Sequence, residues 1–204
     1  MRPVKKVALL HDLCGVGKAA LTNMVPVLSV MGIEACPIPT ILLSTHTGGY
    51  GKPAMEKIST TYIRECADHY VANQVTFDLI FVGYLGSEGM IEAVEYFLSC
   101  FPDTEVIIDP IMGDHGRYYT NFDSSYGESM RRLLPYASII MPNITEGCLL
   151  TQNFLLRKYD TGNNSYNLSG FGKSRSKKNC YDKRSLRFWK KGNCPLRERR
   201  DATV

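Results

Sequence analysis

Short apolar runs of strand length alternate with amphipathic helix patterns from residue 4 to about residue 152, and this alternation constrains the fold more than any other feature of the chain. Val4 to Leu10 is a β-rich apolar run followed by a glycine turn and an apolar helix pattern from about Lys18 to Met31. Ile33 to Ile38 reads as a second strand. Met55, Ile58, Tyr62, Cys66 and Tyr70 recur at spacings of three and four, which places them on one helix face. Phe77 to Gly83 (FDLIFVG) reads as a strand, Met90 to Phe101 as a helix, Glu105 to Asp109 (EVIID) as a strand, and Ser129 to Leu134 as part of another helix. Ala137 to Met141 is a fifth strand, and Thr145 starts a further helix.

Parallel strands need crossover helices, so this order predicts an α/β fold of three layers, α/β/α, around a mainly parallel sheet. Ligands of such sheets bind beyond the carboxyl ends of the strands. The loops that matter are therefore 11–17, 44–51, 83–87, 109–119 and 142–146, where nearly every unusual residue cluster falls.

The glycine loop His11 to Lys18 follows a strand and opens a helix, the usual place for a phosphate-binding loop. A Walker A loop would need glycine where Asp12 stands and Ser or Thr where Ala19 stands. Gly15, Gly17 and Ala20 fit the dinucleotide form GxGxxA, but the acidic residue expected at the end of the second strand is missing, and Pro37 and Pro39 interrupt that region. Three readings remain: dinucleotide binding, which is not favoured; glycines that permit a tight turn; or a substrate loop in which Asp12 accepts a hydrogen bond from a bound hydroxyl. Ser44 to Gly51 packs hydroxyls, an imidazole and three glycines into eight residues, a set that can approach a ligand closely. Asp109 and Asp114 stand five residues apart across a Pro/Gly turn, an arrangement suited to Mg²⁺ and its waters, or to turn capping alone. Thr145 and Glu146 can cap the following helix, while Asn143 and Glu146 can equally reach the metal and phosphate zone.

Taken in register, STHTGG at 44–49, GY at 83–84, DPIMGD at 109–114 and PNITE at 142–146 resemble the pyridoxal kinases of the ribokinase superfamily, over roughly residues 4–152. The HDLCGVG loop is similar to the bacterial type. The resemblance implies a ribokinase-like fold and ATP-dependent phosphorylation of the 5'-hydroxymethyl group of pyridoxal, pyridoxine or pyridoxamine. It implies that Asp12, Ser44, Thr47 and Tyr84 line the vitamer pocket and that Asp109, Asp114, Asn143 and Glu146 serve ATP phosphates. Mg²⁺ would fall to Asp109, Asp114 and Glu146, and Tyr119 would lie over the nucleotide. His46, though inside a motif, reads as a structural loop residue. Met141 departs from the family pattern, where many relatives carry a hydroxyl residue. A monovalent cation and a homodimer of the full-length form belong to the same set of expectations. The superfamily also contains hydroxymethylpyrimidine kinase of thiamine synthesis, the runner-up; STHTGG favours pyridoxal.

Family members carry a GxGD segment whose Asp activates the substrate hydroxyl, and no GxGD occurs in these residues, so no catalytic base is assigned. Charge divides the chain at the same point. Residues 1–156 hold 10 Lys+Arg and 16 Asp+Glu, net −6, whereas residues 157–204 hold 14 and 4, net +10. That second segment has only six Leu, Ile, Val or Phe among its 48 residues, too few to offset chain entropy by burial, so disorder is expected there. A nucleic-acid-binding tail is the functional alternative and is not favoured. A reading-frame error is the third explanation: back-translating residues 171–182 and dropping one nucleotide permits LAKVGAKKIVM, a helix end and a new strand. On that reading this chain is a truncated, catalytically dead fragment, and the intact gene encodes about a hundred further residues including GxGD.

No apolar stretch is long enough to span a membrane, and the run at Val7 to Leu10 is too short for a signal peptide. Seven cysteines, odd in number and without a CxxC pair, suit reduced thiols. A cytoplasmic protein with small-molecule substrates and no membrane partner is expected.

Overall fold

The computed structural model describes residues 4–47, 49–151, 179–182 and 187–190. Its main sheet is built from β1 (Lys6–Val16), β2 (Glu34–Thr45), β3 (Met55–Lys57), β4 (Leu79–Val82), β5 (Glu105–Ile108), β8 (Ile139–Ile140), β9 (Asn179–Asp182) and β10 (Arg187–Lys190). The order across the sheet is β10-β9-β8-β5-β4-β1-β2-β3, parallel throughout except at β2–β3 and β9–β10. A separate hairpin joins β6 (Gly113–Asp114) to β7 (Arg117–Tyr118). Among the described residues five α-helices connect the strands: α1 (Leu21–Val30), α2 (Thr60–Ala72), α3 (Glu88–Ser99), α4 (Ser124–Leu133) and α5 (Ile144–Thr151).

Alternation along each strand separates the two faces of the sheet. Val7 and Leu9 pack with Leu21, Met24, Val25 and Leu28 of α1. Ala8, Leu10, Ile80, Val82, Val106, Ile108 and Ile140 face the opposite way, into one large core with Ile63 of α2, Ile91, Val94 and Phe97 of α3, Met130 of α4 and Leu150 of α5. Each fully buried Ile or Val in this core contributes about 1.5–3 kcal/mol relative to exposure. The described helices thus form the outer layers of the expected α/β/α sandwich, one on one face and four on the other. Helix starts follow their caps: Ser59 accepts from the Thr61 N–H, Ser87 from Met90, and Asp123 from Ser125.

Strand boundaries depart from the sequence-based expectation in both directions. The segment 11–17 and the start of 44–51 were expected as loops, yet β1 and β2 stay paired to Val16 and Thr45, across a register shift between His11 and Leu13. The bulge absorbs the irregularity and lets the ladder resume. Nor do the prolines break β2. The Glu34 N–H donates to the Lys5 carbonyl at 2.9 Å, so alternate residues face β1, while Pro37 and Pro39 fall on the other side, where β3 pairs only with Ile41 to Leu43. A missing N–H costs nothing on such an edge. The fifth strand shortens from the expected 137–141 to Ile139–Ile140.

Within the basic segment 157–204, β9 adds to the parallel order beside β8 and β10 returns antiparallel. The other expectations for that segment fall outside the described residues. Among the described residues no helix is long and apolar enough to cross a membrane, and Cys14, Cys36, Cys66, Cys100 and Cys148 are free.

Candidate active site

After β1 the chain crosses to β2 on one side of the sheet, and after β3 it returns to β4 on the other, so the gap between the ends of β1 and β4 is the topological switch point where such sheets bind ligands. Backbone bonds lock the strand ends in step: Gly83 N–H to Leu10 carbonyl, Asp109 to Val82 and Met141 to Ile108, at 2.8, 2.8 and 2.9 Å. Two corners result, one around Asp12 and Tyr84 and one around Asp109, Asp114 and Asn143.

In the first corner Asp12 is 7% exposed. Its Oδ1 lies 2.7 Å from His11 Nδ1, and its Oδ2 accepts from the Cys14 thiol at 2.9 Å. Burial alone would raise the Asp12 carboxyl, but the His11 and Cys14 hydrogen bonds, the charge of His11 and a backbone N–H outweigh it and hold the group below its ordinary value. Burial, reinforced by the facing carboxylate, pushes the Cys14 thiol up to about 12, so it serves as a donor and not as a nucleophile. Tyr84 belongs to the same corner: burial raises its phenol, a hydrogen bond from Asn121 lowers it, and the Asp12 charge raises it again. Thr40 Oγ1 donates to the Tyr84 carbonyl at 2.7 Å, and Asn121 Nδ2 to the Tyr84 hydroxyl at 2.8 Å. The Tyr84 ring leans on Phe122, which stacks on Tyr126 at 3.8 Å.

Ser44 and Thr47 are exposed. Ser44 is also occupied structurally, for its Oγ accepts from the Ala54 N–H and its own N–H donates to the Ala54 carbonyl. The His46 ring fills the space beside Gly17, where a Cβ would stand 2.0 Å from its Cδ2, and it meets Tyr50 edge-on. That contact makes His46 a packing residue between two loops.

The second corner is assembled differently. The β6–β7 hairpin turns through His115 and Gly116, with φ of 52° and 78°, the geometry of a type I′ turn. Asn143 Nδ2 donates to the Gly113 carbonyl at 2.8 Å, the Gly116 N–H donates to Thr145 Oγ1 at 2.9 Å, and the Met112 N–H donates to Glu146 Oε1 at 3.4 Å. Asn143 and Glu146 also cap α5 reciprocally: the Asn143 N–H donates to Glu146 Oε2 at 2.7 Å and the Glu146 N–H to Asn143 Oδ1 at 2.9 Å. This is a capping box with Asn as its first member. Glu146 is 1% exposed, and both its oxygens are engaged by amides. Asp109 and Asp114 are half-buried, Asp114 accepting from the His115 N–H at 2.8 Å. Tyr119 is exposed at the hairpin's exit, its N–H on the Met112 carbonyl. Among the described residues no three acidic, cysteine or histidine side chains converge on a point that could hold a metal ion.

With this geometry the chain can be set beside known proteins. Residues 25–173 match the phosphomethylpyrimidine kinase family. The chain belongs to that family. A pyridoxal kinase of Arabidopsis thaliana is 26% identical over 129 residues, which make up 61% of this chain and 41% of that protein. A Bacteroides thetaiotaomicron structure described as a phosphomethylpyrimidine kinase, solved with pyridoxal, superposes with a TM-score of 0.68 at 41% identity, covering 74% of this chain and 52% of that one. The pyridoxal kinase structure from Lactobacillus plantarum gives 0.75 at 27% identity, covering 92% and 72%. The ribokinase-like α/β fold expected from the motifs is therefore present, in a chain spanning well under half the length of the curated relative.

Sequence reasoning missed His11, Asn121 and Phe122 as members of the first corner. His11 stood inside the quoted loop, but its part depends on Gly83, which is distant in sequence. Asn121 and Phe122 belong to no motif, and only the fold brings them to Tyr84.

Proposed function

We propose that this chain carries the vitamer corner and the phosphate corner of a pyridoxal kinase, which transfers the γ-phosphoryl group of ATP to the 5'-hydroxymethyl group of pyridoxal, pyridoxine or pyridoxamine. One observation carries the reading: Asp12, an ionised and pre-oriented acceptor, lies close enough to Tyr84 to raise its phenol, at the switch point of a chain that over 74% of its length is similar, at 41% identity, to a structure solved with pyridoxal. Phosphoryl transfer asks a protein mainly for positioning and charge stabilisation. Asp12 would accept a hydrogen bond from the vitamer and Tyr84 would wall the ring, with Ser44 and Thr47 at the rim. Asp109 and Asp114 offer hard carboxylate oxygens that fit Mg²⁺, which would neutralise charge on the phosphates. Glu146 and Asn143 would act by holding the loop that presents them, and Tyr119 would lie against the nucleotide.

A monovalent cation, a homodimer of the full-length form and a cytoplasmic location belong to the same proposal. So does the division into residues 1–156, a kinase core, and 157–204, whose reading frame is tested by sequencing genomic DNA from codon 145 past codon 204. Calorimetric titration of the purified chain with pyridoxal, repeated in excess hydroxymethylpyrimidine, tests the substrate. Saturable pyridoxal binding that hydroxymethylpyrimidine does not displace supports the reading. Preferential binding of hydroxymethylpyrimidine supports the second one, favoured by the family match itself. Label transfer from ATP then separates a working kinase from a fragment that binds without turnover, the outcome expected of a chain lacking GxGD.

A further inference from the structure

His11 is 8% exposed and sits at the switch point with its ring parallel to that of Phe81, 7° between planes and 6.1 Å between centroids. On its other side is Gly83, where a Cβ would stand 2.1 Å from His11 Cδ2 and 2.4 Å from Nε2. Only glycine at 83 leaves room for the ring. Three groups converge on one nitrogen: Asp12 Oδ1 at 2.7 Å, the Asp12 backbone N at 2.9 Å and the Tyr84 backbone N at 3.4 Å from Nδ1. The three make opposite demands: the Asp12 and Tyr84 backbone N–H groups point at Nδ1 as donors and suit its lone pair, whereas the Asp12 carboxylate needs a proton there. The carboxylate contact is both the shortest and the charged one, which favours a proton on Nδ1. The charged and titratable groups around this point are Asp12 itself, Cys14 and Tyr84.

We propose that His11 is a positioning residue of the vitamer site, its Nδ1–H holding the Asp12 carboxylate while the ring, wedged against Gly83, fixes the end of β1 relative to Tyr84. The residue does not touch the vitamer; it acts through Asp12. This inference rests on the pyridoxal reading for its functional consequence and on geometry alone for the hydrogen bond.

The test compares two substitutions of opposite character in the full chain. His11→Leu fills the apolar space but has no donor, whereas His11→Asn is smaller but can place an amide N–H near the Nδ1 position. His11→Leu is expected to weaken pyridoxal binding about tenfold, the order of one lost hydrogen bond to a charged group, and His11→Asn to recover most of it. MgATP binding should be unchanged in both. A core residue with no positioning role predicts the reverse ranking, and that result overturns the proposal. Two readouts decide the matter even where His11→Leu does not fold or wild type does not bind pyridoxal. Nitrogen-15 spectra of wild type should show the His11 proton on Nδ1; a proton on Nε2 alone overturns it. Carbon-13 titration of the Asp12 carboxyl should move up in His11→Leu and stay near wild type in His11→Asn, and equal titration in all three refutes it. A chain that passes both yet does not bind pyridoxal has lost the proposed substrate, not the His11 contact.

Discussion

The two corners of the site use polar side chains in opposite ways. Around β1 and β4, His11, Asp12 and Cys14 bond mainly to one another, and the result is one carboxylate held ionised beside a tyrosine. Around β5 and β8, Asn143, Thr145 and Glu146 spend their polar atoms on backbone groups of residues 112–116 and on the first turn of α5. The first corner holds one side chain in place, and the second holds a loop. A motif residue in the second corner is therefore worth more to stability than one in the first.

Glu146→Ala breaks that comparison most severely. It leaves the amides of Met112 and Asn143 without their acceptor inside a buried site and is expected to cost about 3 kcal/mol, read as a drop in the urea midpoint. Glu146→Gln keeps an acceptor and should cost less. Equal, small losses for both would mean that the hairpin is held by other contacts and that Glu146 is available as a ligand after all.

Asp12→Asn probes the first corner. Pyridoxal affinity is expected to fall about tenfold or more, since a charged acceptor is lost, and stability at neutral pH falls as well, by less than in Glu146→Ala. The pH dependence has a definite sign. Because the folded carboxyl is held below its ordinary value of 3.8, its contribution is fully present above that value and is lost as pH falls through the depressed one. The stability difference between wild type and Asp12→Asn should therefore shrink on acidification below about pH 4. A difference that grows there contradicts the ionised assignment.

The same contrast explains what was legible from residues alone. Strands such as Leu79–Val82 and Glu105–Ile108 follow from short continuous apolar runs, as burial on both faces of a sheet imposes, and the helix Glu88–Ser99 follows from the period of its one buried face. Ends of elements did not follow. Glycines and an His-Asp pair read as a turn after Leu10, whereas pairing with β2 carries β1 on to Val16, and that stabilisation is non-local. β3 and the β6–β7 hairpin are too short to show a period. In the site, motif residues were identifiable, but their division of labour was not. That Glu146 faces amides and Asp12 faces a histidine is set by contacts with residues such as Met112 and by the vacant side of Gly83.

A smaller effect is expected at the edge of the first corner. Asn121→Ala removes the hydrogen bond to the Tyr84 hydroxyl, one neutral contact of about 1 kcal/mol, and should reduce pyridoxal affinity roughly fivefold while lowering the thermal midpoint by no more than a few degrees. If affinity is unchanged, the Tyr84 ring is fixed by its packing on Phe122 alone.

The smallest effect sharpens the comparison by asking whether the corners are independent. His115 occupies the left-handed region at φ 52°, followed by Gly116 at 78°, and a type I′ turn prefers Asn at the first of these positions. His115→Asn should therefore stabilise the protein by about 0.5 kcal/mol, an increment typical of corrected turn chemistry. The substitution gives up only an exposed 3.8 Å approach of the imidazole to Asp114 Oδ2 and keeps the backbone N–H that Asp114 Oδ1 accepts, so little is lost against that gain. Because the hairpin meets α5 through backbone groups and the proposed vitamer corner lies at β1 and β4, pyridoxal affinity should stay at the wild-type value while the urea midpoint rises. A change in affinity of severalfold would show that tightening the hairpin is felt at Asp12, and the two corners would then have to be treated as one coupled site.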